Sequence, residues 1–326
     1  AWKYRDWVIK ALSSDLPYDR FLTLQLAGDI IEPGDQQAVI ATSFLLSGPD
    51  MPDINSMEER KHVLMNEVTS TVGAALFSLQ IGCAQCHDHK YDPIGMDDYS
   101  RFRAVFDPLF PLDKWRLPGS QLVDFTTPDV LAEEATIEAR AKEVEDDITQ
   151  RRNAHGKKIQ ELKLADVPKA DRDATREAVL TEPGKRTQKQ NELWKTYPLV
   201  KPVSTIAGGW LVEYDSVAYR KFEKENEKVA AIRATKPARH VVMTTREEPD
   251  VVPASYVFFR GNPESRGEPV TPAELMVLRL DREVELPQND ETLATSGRRL
   301  SYARQLTSGS HPLAARVFVN RIWLHH

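Results

Sequence analysis

Cysteine is nearly missing from this 326-residue sequence: there are two, Cys83 and Cys86. That excludes a small scaffold stapled by several disulfides. No run approaches the roughly 18 uninterrupted apolar residues that a membrane-crossing helix requires, so no span is expected. Positive charge is not in excess, with 43 Lys and Arg against 49 Asp and Glu and a net charge of −6. A nucleic-acid partner, which calls for a basic face, is therefore not expected. The sequence also lacks a G-x-S-x-G elbow, an H-E-x-x-H pair, a Walker loop and a dinucleotide fingerprint, which leaves hydrolytic and nucleotide chemistry without candidate residues. Its first residues, AWKYRDW, hold neither an initiator Met nor a charged-then-apolar signal segment, and NRIWLHH stops inside an amphipathic helical pattern. The chain reads as a piece of a longer protein.

Both cysteines fall in one stretch, CAQCHDHKYDPI, together with two of the eight histidines. Cys83, Cys86 and His87 form a C-x-x-C-H pattern, the signature of covalent c-type haem attachment. The spacing has a chemical reason: two thiols add across the two vinyl groups of one porphyrin, and the following imidazole becomes an axial ligand of the iron. One covalent haem c is expected, with Cys83 and Cys86 as thioether anchors and His87 as proximal ligand. Two alternatives use the same residues. Zinc could take Cys83, Cys86, His87 and His89, although four ligands within seven residues are cramped for a tetrahedron. A redox-active disulfide expects a βαβ context, whereas the residues before Cys83 read as a helix.

The flanks of the loop, TSTVGAALFSLQIG before it and ARVFVNRIWLHH at the far end, together with GCAQCHDHKYDPI, resemble the planctomycete cytochrome-c-associated family. These are large exported bacterial proteins with paired domains of unknown function. The resemblance covers residues 1 to 107, 236 to 280 and 297 to 326. One departure is visible before the loop: where the family usually reads T-T-G-x-x-F-L-G-L-T, this chain has Thr71, Val72 and Gly73 followed by Ala74, Ala75, Leu76, Phe77, Ser78 and Leu79. It alters packing residues and leaves the thiols and imidazole intact. The resemblance and the motif together imply an exported protein, periplasmic or at the cell surface.

Periodicity predicts the architecture. Helices are expected at Trp2 to Ala11, after Pro17, and from Gln36 to Leu46, with Trp2, Tyr4, Trp7 and Tyr18 read as core. One long helix from Met57 to Leu79 delivers the loop, with Gly82 as its C-cap and His62 on the surface. Asp97 or Asp98 is expected to cap a helix through Tyr99, Phe102 and Phe106; Asp88, Asp92, Asp97 and Asp98 lack the alternation of a calcium loop. Residues 129 to 196 read as a charged helical hairpin: one long arm to about Leu164, a turn near Asp166 to Pro168, and a return arm through Ala178 to Trp194. HVVMTTRE (240 to 247) and ASYVFFRG (254 to 261) read as a short β-pair, and Arg260, Gly261, Asn262 and Pro263 as a turn. Helices follow from Leu275 to Leu280, Ser296 to Leu306 and Leu313 to Trp323; Arg316, Asn320 and Arg321 share a face suited to interdomain hydrogen bonds. The fold class expected is mainly α and multidomain: a helical haem-bearing domain (1–127), a helical hairpin insertion (128–197), a small β-containing region (198–290) and the start of a second helical domain (291–326).

Two function classes remain. The first is electron transfer or redox chemistry at the haem, in partnership with a redox protein or another haem domain of the same longer chain. Lys90, Arg101 and Arg103 are candidate propionate partners, and His89, Met96 or His325 candidate sixth ligands. A second axial side chain makes a closed electron-transfer iron, and an open position allows ligand binding or catalysis. The other class is a surface or carbohydrate-associated interaction protein in which the loop is a structural haem or zinc site. The 128–197 hairpin offers a docking surface in either case.

Overall fold

A computed structural model describes residues 2–46, 48, 51–110, 118–279 and 285–326. Among them the chain is mainly helical, with fourteen α-helices and two small two-stranded sheets. It packs as two compact units, Ala1–Phe125 with His240–His326, and Thr126–Arg239. No described helix is long and apolar enough to cross a membrane.

The first unit opens with α1 (Trp2–Ser13), α2 (Tyr18–Ile31) and α3 (Gln36–Thr42), the last continued by a 3-10 turn over Ser43–Leu46. Asp35 caps α3 by accepting the Gln37 N–H. Of the aromatic residues read as core, Trp7 is buried and stacks on Phe21, whereas Trp2 is 63% exposed. α4 (Met57–Phe77) starts at Ser56, whose hydroxyl accepts the Glu59 N–H, and carries Glu58 and Glu59 where the helix dipole favours acids. Leu64, Val68, Val72 and Leu76 form its buried stripe, as their spacing dictates. The helix ends earlier than expected. Ser78, at φ 55, takes the left-handed cap position assigned to Gly82, because Leu79 turns back to donate to the Gly73 carbonyl. α5 (Met96–Arg103) begins at Gly95, and Asp88 rather than Asp97 or Asp98 accepts its first N–H. Asp98 instead receives the Met276 N–H across the unit.

The second unit is built on α6 (Pro128–Ala165), followed by α7 (Lys169–Leu180), α8 (Gln188–Thr196), α9 (Val203–Ala207), α10 (Leu211–Tyr214) and α11 (Ser216–Arg233). The expected return arm is broken into α7 and α8, which pack at the far end of α6 through Leu164, Val167, Val179 and Val200. The partner of the remaining length is α11. Ala141, Ile148 and Ile159 of α6 meet Phe222 and Val229 in one apolar seam, flanked by Arg233 paired with Glu138 and Glu145.

The chain leaves the first unit after β1 (Leu122–Asp124) and returns as β2 (Val241–Met243), which pairs antiparallel with β1, while β3 (Ser255–Phe258) pairs with β4 (Arg266–Val270). The expected pairing of 240–247 with 254–261 does not form. A tight turn at Arg260 (φ 51) and Gly261 (φ 71) folds β3 directly onto β4, so the nearer partner wins. α12 (Met276–Arg279), α13 (Arg298–Leu306) and α14 (Ala314–His325) complete the unit. Leu280, the expected end of α12, and Ser47, Pro49 and Asp50, ahead of α4, lie outside the described residues. Arg321 of α14 donates to the Ala74 carbonyl at 2.8 Å, serving the open end of α4 within the unit.

α13 is held by two fully buried arginines. Arg299 reaches Asp29 of α2 through two bonds of 2.9 Å, the Leu26 carbonyl at 2.8 Å and Glu247 at 3.0 Å. Arg298 donates to the Ala104 carbonyl at 2.7 Å and the Gln288 carbonyl at 2.9 Å. Replacing Arg299 by Met leaves Asp29 and Glu247 as buried carboxylates without their cation. We expect Arg299→Met to cost about 3–5 kcal/mol in a urea melt; a loss below about 1 kcal/mol would show that the knot is dispensable.

Candidate functional site

Beyond Ser78 the chain makes a 3-10 turn over Ile81–Gln85, anchored by the fully buried Ile81 and Ala84. The N–H groups of Cys86 and His87 both point to the Cys83 carbonyl, at 3.3 and 3.4 Å. One turn therefore carries Cys83, Cys86 and His87 at positions i, i+3 and i+4. Both thiols are free, Cys83 exposed and Cys86 half-buried. His87 is exposed, and its Nδ1 donates to the Asp88 carbonyl at 2.7 Å, which leaves the lone pair on Nε2. Two unpaired thiols on one turn, beside an imidazole whose second nitrogen is already engaged, are a donor set that suits a c-type haem. Among the described residues no three His, Cys, Asp or Glu side chains, Cys83, Cys86 and His87 included, are grouped to hold a metal ion.

The turn is braced from both sides. Downstream, Asp88 accepts the Met96 N–H at 3.0 Å, and His89 closes the loop by donating its N–H to the Ile94 carbonyl and accepting the Asp92 N–H on Nδ1, each at 2.9 Å. From the other side comes the β3–β4 turn. Gly261 lies so close that a Cβ there would stand 2.6 Å from Cys86 Sγ and 3.2 Å from the Gln85 carbonyl oxygen. Its φ of 71 and this contact both require glycine. The Gly261 backbone also accepts a hydrogen bond from His62 of α4.

His62 is not the surface residue its helix position implied; it is 6% exposed. Phe258 meets its ring edge-on at 4.5 Å, and Arg103 Nη1 approaches its Nδ1 at 3.1 Å. Burial, with the Arg103 charge beside it, pushes the His62 pKa down to about 3, so the ring is neutral and accepts from Arg103 while donating to Gly261. Arg103 is buried against Phe258 and Asp107 rather than exposed for a propionate. Arg101 contacts Thr271, and Lys90 is exposed above the Tyr91 ring. Met96 is the first residue of α5, eight positions after Asp88 in the same loop, and His325 is exposed at the end of α14. The structure thus gathers Cys83, Cys86 and His87 on one turn and sets Arg103 in the layer behind it. The sequence reading missed His62, Gly261 and Lys61. The turn residues Arg260 to Pro263 were the one visible signal, and their partner was not legible.

Two outcomes follow from this bracing. Gly261→Ala is expected to cost about 1–3 kcal/mol and to change the rate at which Cys86, but not Cys83, reacts with a thiol reagent; unchanged Cys86 kinetics would refute the contact. For His62 the folded pKa of about 3 lies below the ordinary 6.5, so the unfolded chain binds the extra proton between those values. Its contribution is complete above pH 6.5 and is lost as pH falls toward 3. Near pH 4.5 the loss is about 2–3 kcal/mol, and His62→Gln should flatten this part of the stability–pH curve in urea melts.

Comparison with known proteins reaches part of the chain. No curated protein and no solved structure matches it. A family model, PSCyt2, described as a protein of unknown function (DUF1549), matches residues 1–109. That stretch spans α1 to α5 and includes the whole Cys-x-x-Cys-His turn; the resemblance read over residues 236 to 280 and 297 to 326 lies outside it. Over residues 1–109 the chain is similar to PSCyt2, a planctomycete cytochrome-associated domain of unknown function.

Proposed function

We propose that this protein carries one covalently attached haem c and works in one-electron transfer or redox chemistry outside the bacterial cytoplasmic membrane. The observation that carries the reading is the Cys83–His87 turn, with two free thiols and an imidazole whose Nδ1 is bound to the Asp88 carbonyl. Each thiol S–H would add across one vinyl C=C of the porphyrin, so both protons stay on the product and no oxidant is consumed. His87 would supply the proximal ligand through Nε2. When bound, the haem iron supplies the one-electron couple. The protein's own residues do the rest. Asp88 holds the His87 ring, Ile81 and Ala84 anchor the turn, and Gly261 lets the β3–β4 turn close over Cys86. Export fits this reading, since bacterial c-type haem is attached on the far side of the membrane, and the electron partner would be a redox protein or another haem domain.

The test is to produce the chain in an exporting host with haem-maturation machinery. Oxidised and dithionite-reduced spectra are recorded, followed by mass analysis under denaturing conditions. A mass increase of one haem, lost in Cys83→Ser with Cys86→Ser, and sharp reduced bands altered in His87→Ala are expected. A colourless protein with two free thiols would sink the reading.

A further inference from the structure

His62 also lines a cleft of about 340 Å³ between the start of α4, the end of α5 and β3. That is the lower end of the volume of small-molecule sites. Its lining is of two kinds. Val251, Val252, Pro253 and Phe258 are apolar, while Lys61, Arg103, Arg266, Glu58 and Asp107 are charged, with Arg103 lying over the Phe258 ring. Arg266 pairs with Glu58 at 3.0 Å, and Arg103 lies 3.5 Å from Asp107, which also accepts from Ser255. Lys61 is the cation left over. It lies among these four charged groups but forms no hydrogen bond or ion pair with any described residue. Three cations against two acids, with His62 neutral, give the lining a net charge of +1. Arg103, itself only 5% exposed, also keeps a buried Nε–H without a hydrogen-bond acceptor.

A largely buried ammonium with no ion pair or hydrogen bond of its own is costly, and the cost falls when an anion arrives. One surplus charge matches a monoanion better than a phosphate dianion. The apolar lining asks for a hydrophobic body on the same molecule. We propose that the cleft binds a small carboxylate with an apolar or aromatic body, its carboxylate on Lys61 and its body against Phe258 and Val252. Burial lowers the Lys61 pKa in the free protein, and a bound carboxylate would oppose that shift. The cleft contains none of Cys83, Cys86 and His87, so this inference stands apart from the haem reading.

The probe is fluorobenzoate, titrated into the full chain and followed by fluorine NMR, with fluorobenzamide as the neutral isostere. Saturable binding of the acid in the millimolar range and none of the amide are expected. Lys61→Met should weaken binding at least about tenfold, and Lys61→Arg should keep it. Lys61→Met exchanges an unpaired buried charge for an apolar chain, so the variant should fold, which a urea melt checks. Equal affinity in Lys61→Met, equal binding of the amide, or no binding of the acid up to about 10 mM would each overturn the proposal.

Discussion

Two adjacent guanidinium groups, Arg298 and Arg299, hold the larger unit together. They are buried together with Asp29 and Glu247, a group of charges that would be prohibitive to desolvate singly and is tolerable only as a fully hydrogen-bonded set. Arg299 commits α13 to α2, and Glu247 spends its second oxygen on the Ser296 N–H and hydroxyl at the entry to that helix. Arg298 commits the same helix to the end of α5 and to the segment entering β3. An apolar core is forgiving about direction, whereas five donors in a rigid plane are not. The knot therefore sets how residues 247 to 306 sit on the first five helices.

From that knot a chain of polar contacts leads to the Cys-x-x-Cys-His turn. Arg298 faces the Ser255 hydroxyl, Ser255 donates to Asp107, and Asp107 stands beside Arg103. Arg103 donates to His62, His62 to the Gly261 backbone, and Gly261 lies against Cys86. The neutral state of His62 is a consequence of this order. A protonated ring between Arg103 and Lys61 would place a third positive charge in a buried layer, so burial and both cations act in the same direction on its pKa. The turn with its thiols is thus a surface feature laid on a rigid polar foundation.

Much was legible in the sequence, and for local reasons. Helical periodicity placed α1 to α6 to within a few residues. What misled was also local. Gly82 looked like the cap of α4, yet Ser78 turned left-handed because Leu79 had a carbonyl within reach at Gly73. The segments 240–247 and 254–261 looked like a pair, yet each had another partner at closer range or in a more distant part of the chain.

The sequence by itself determined the elements whose causes lie within a few residues: the amphipathic stripes of α4 and α6, the caps at Asp35 and Ser56, the thiol and imidazole donors on one turn. Only the tertiary structure decided what those elements meet. His62 and Gly261 are 199 positions apart, and the arginine pair reaches back 270 positions to Asp29. Contacts at such separations leave no periodic trace, since each depends on the packing of everything between, so neither the neutral His62 nor the lone Lys61 in its cleft can be seen until the chain is folded.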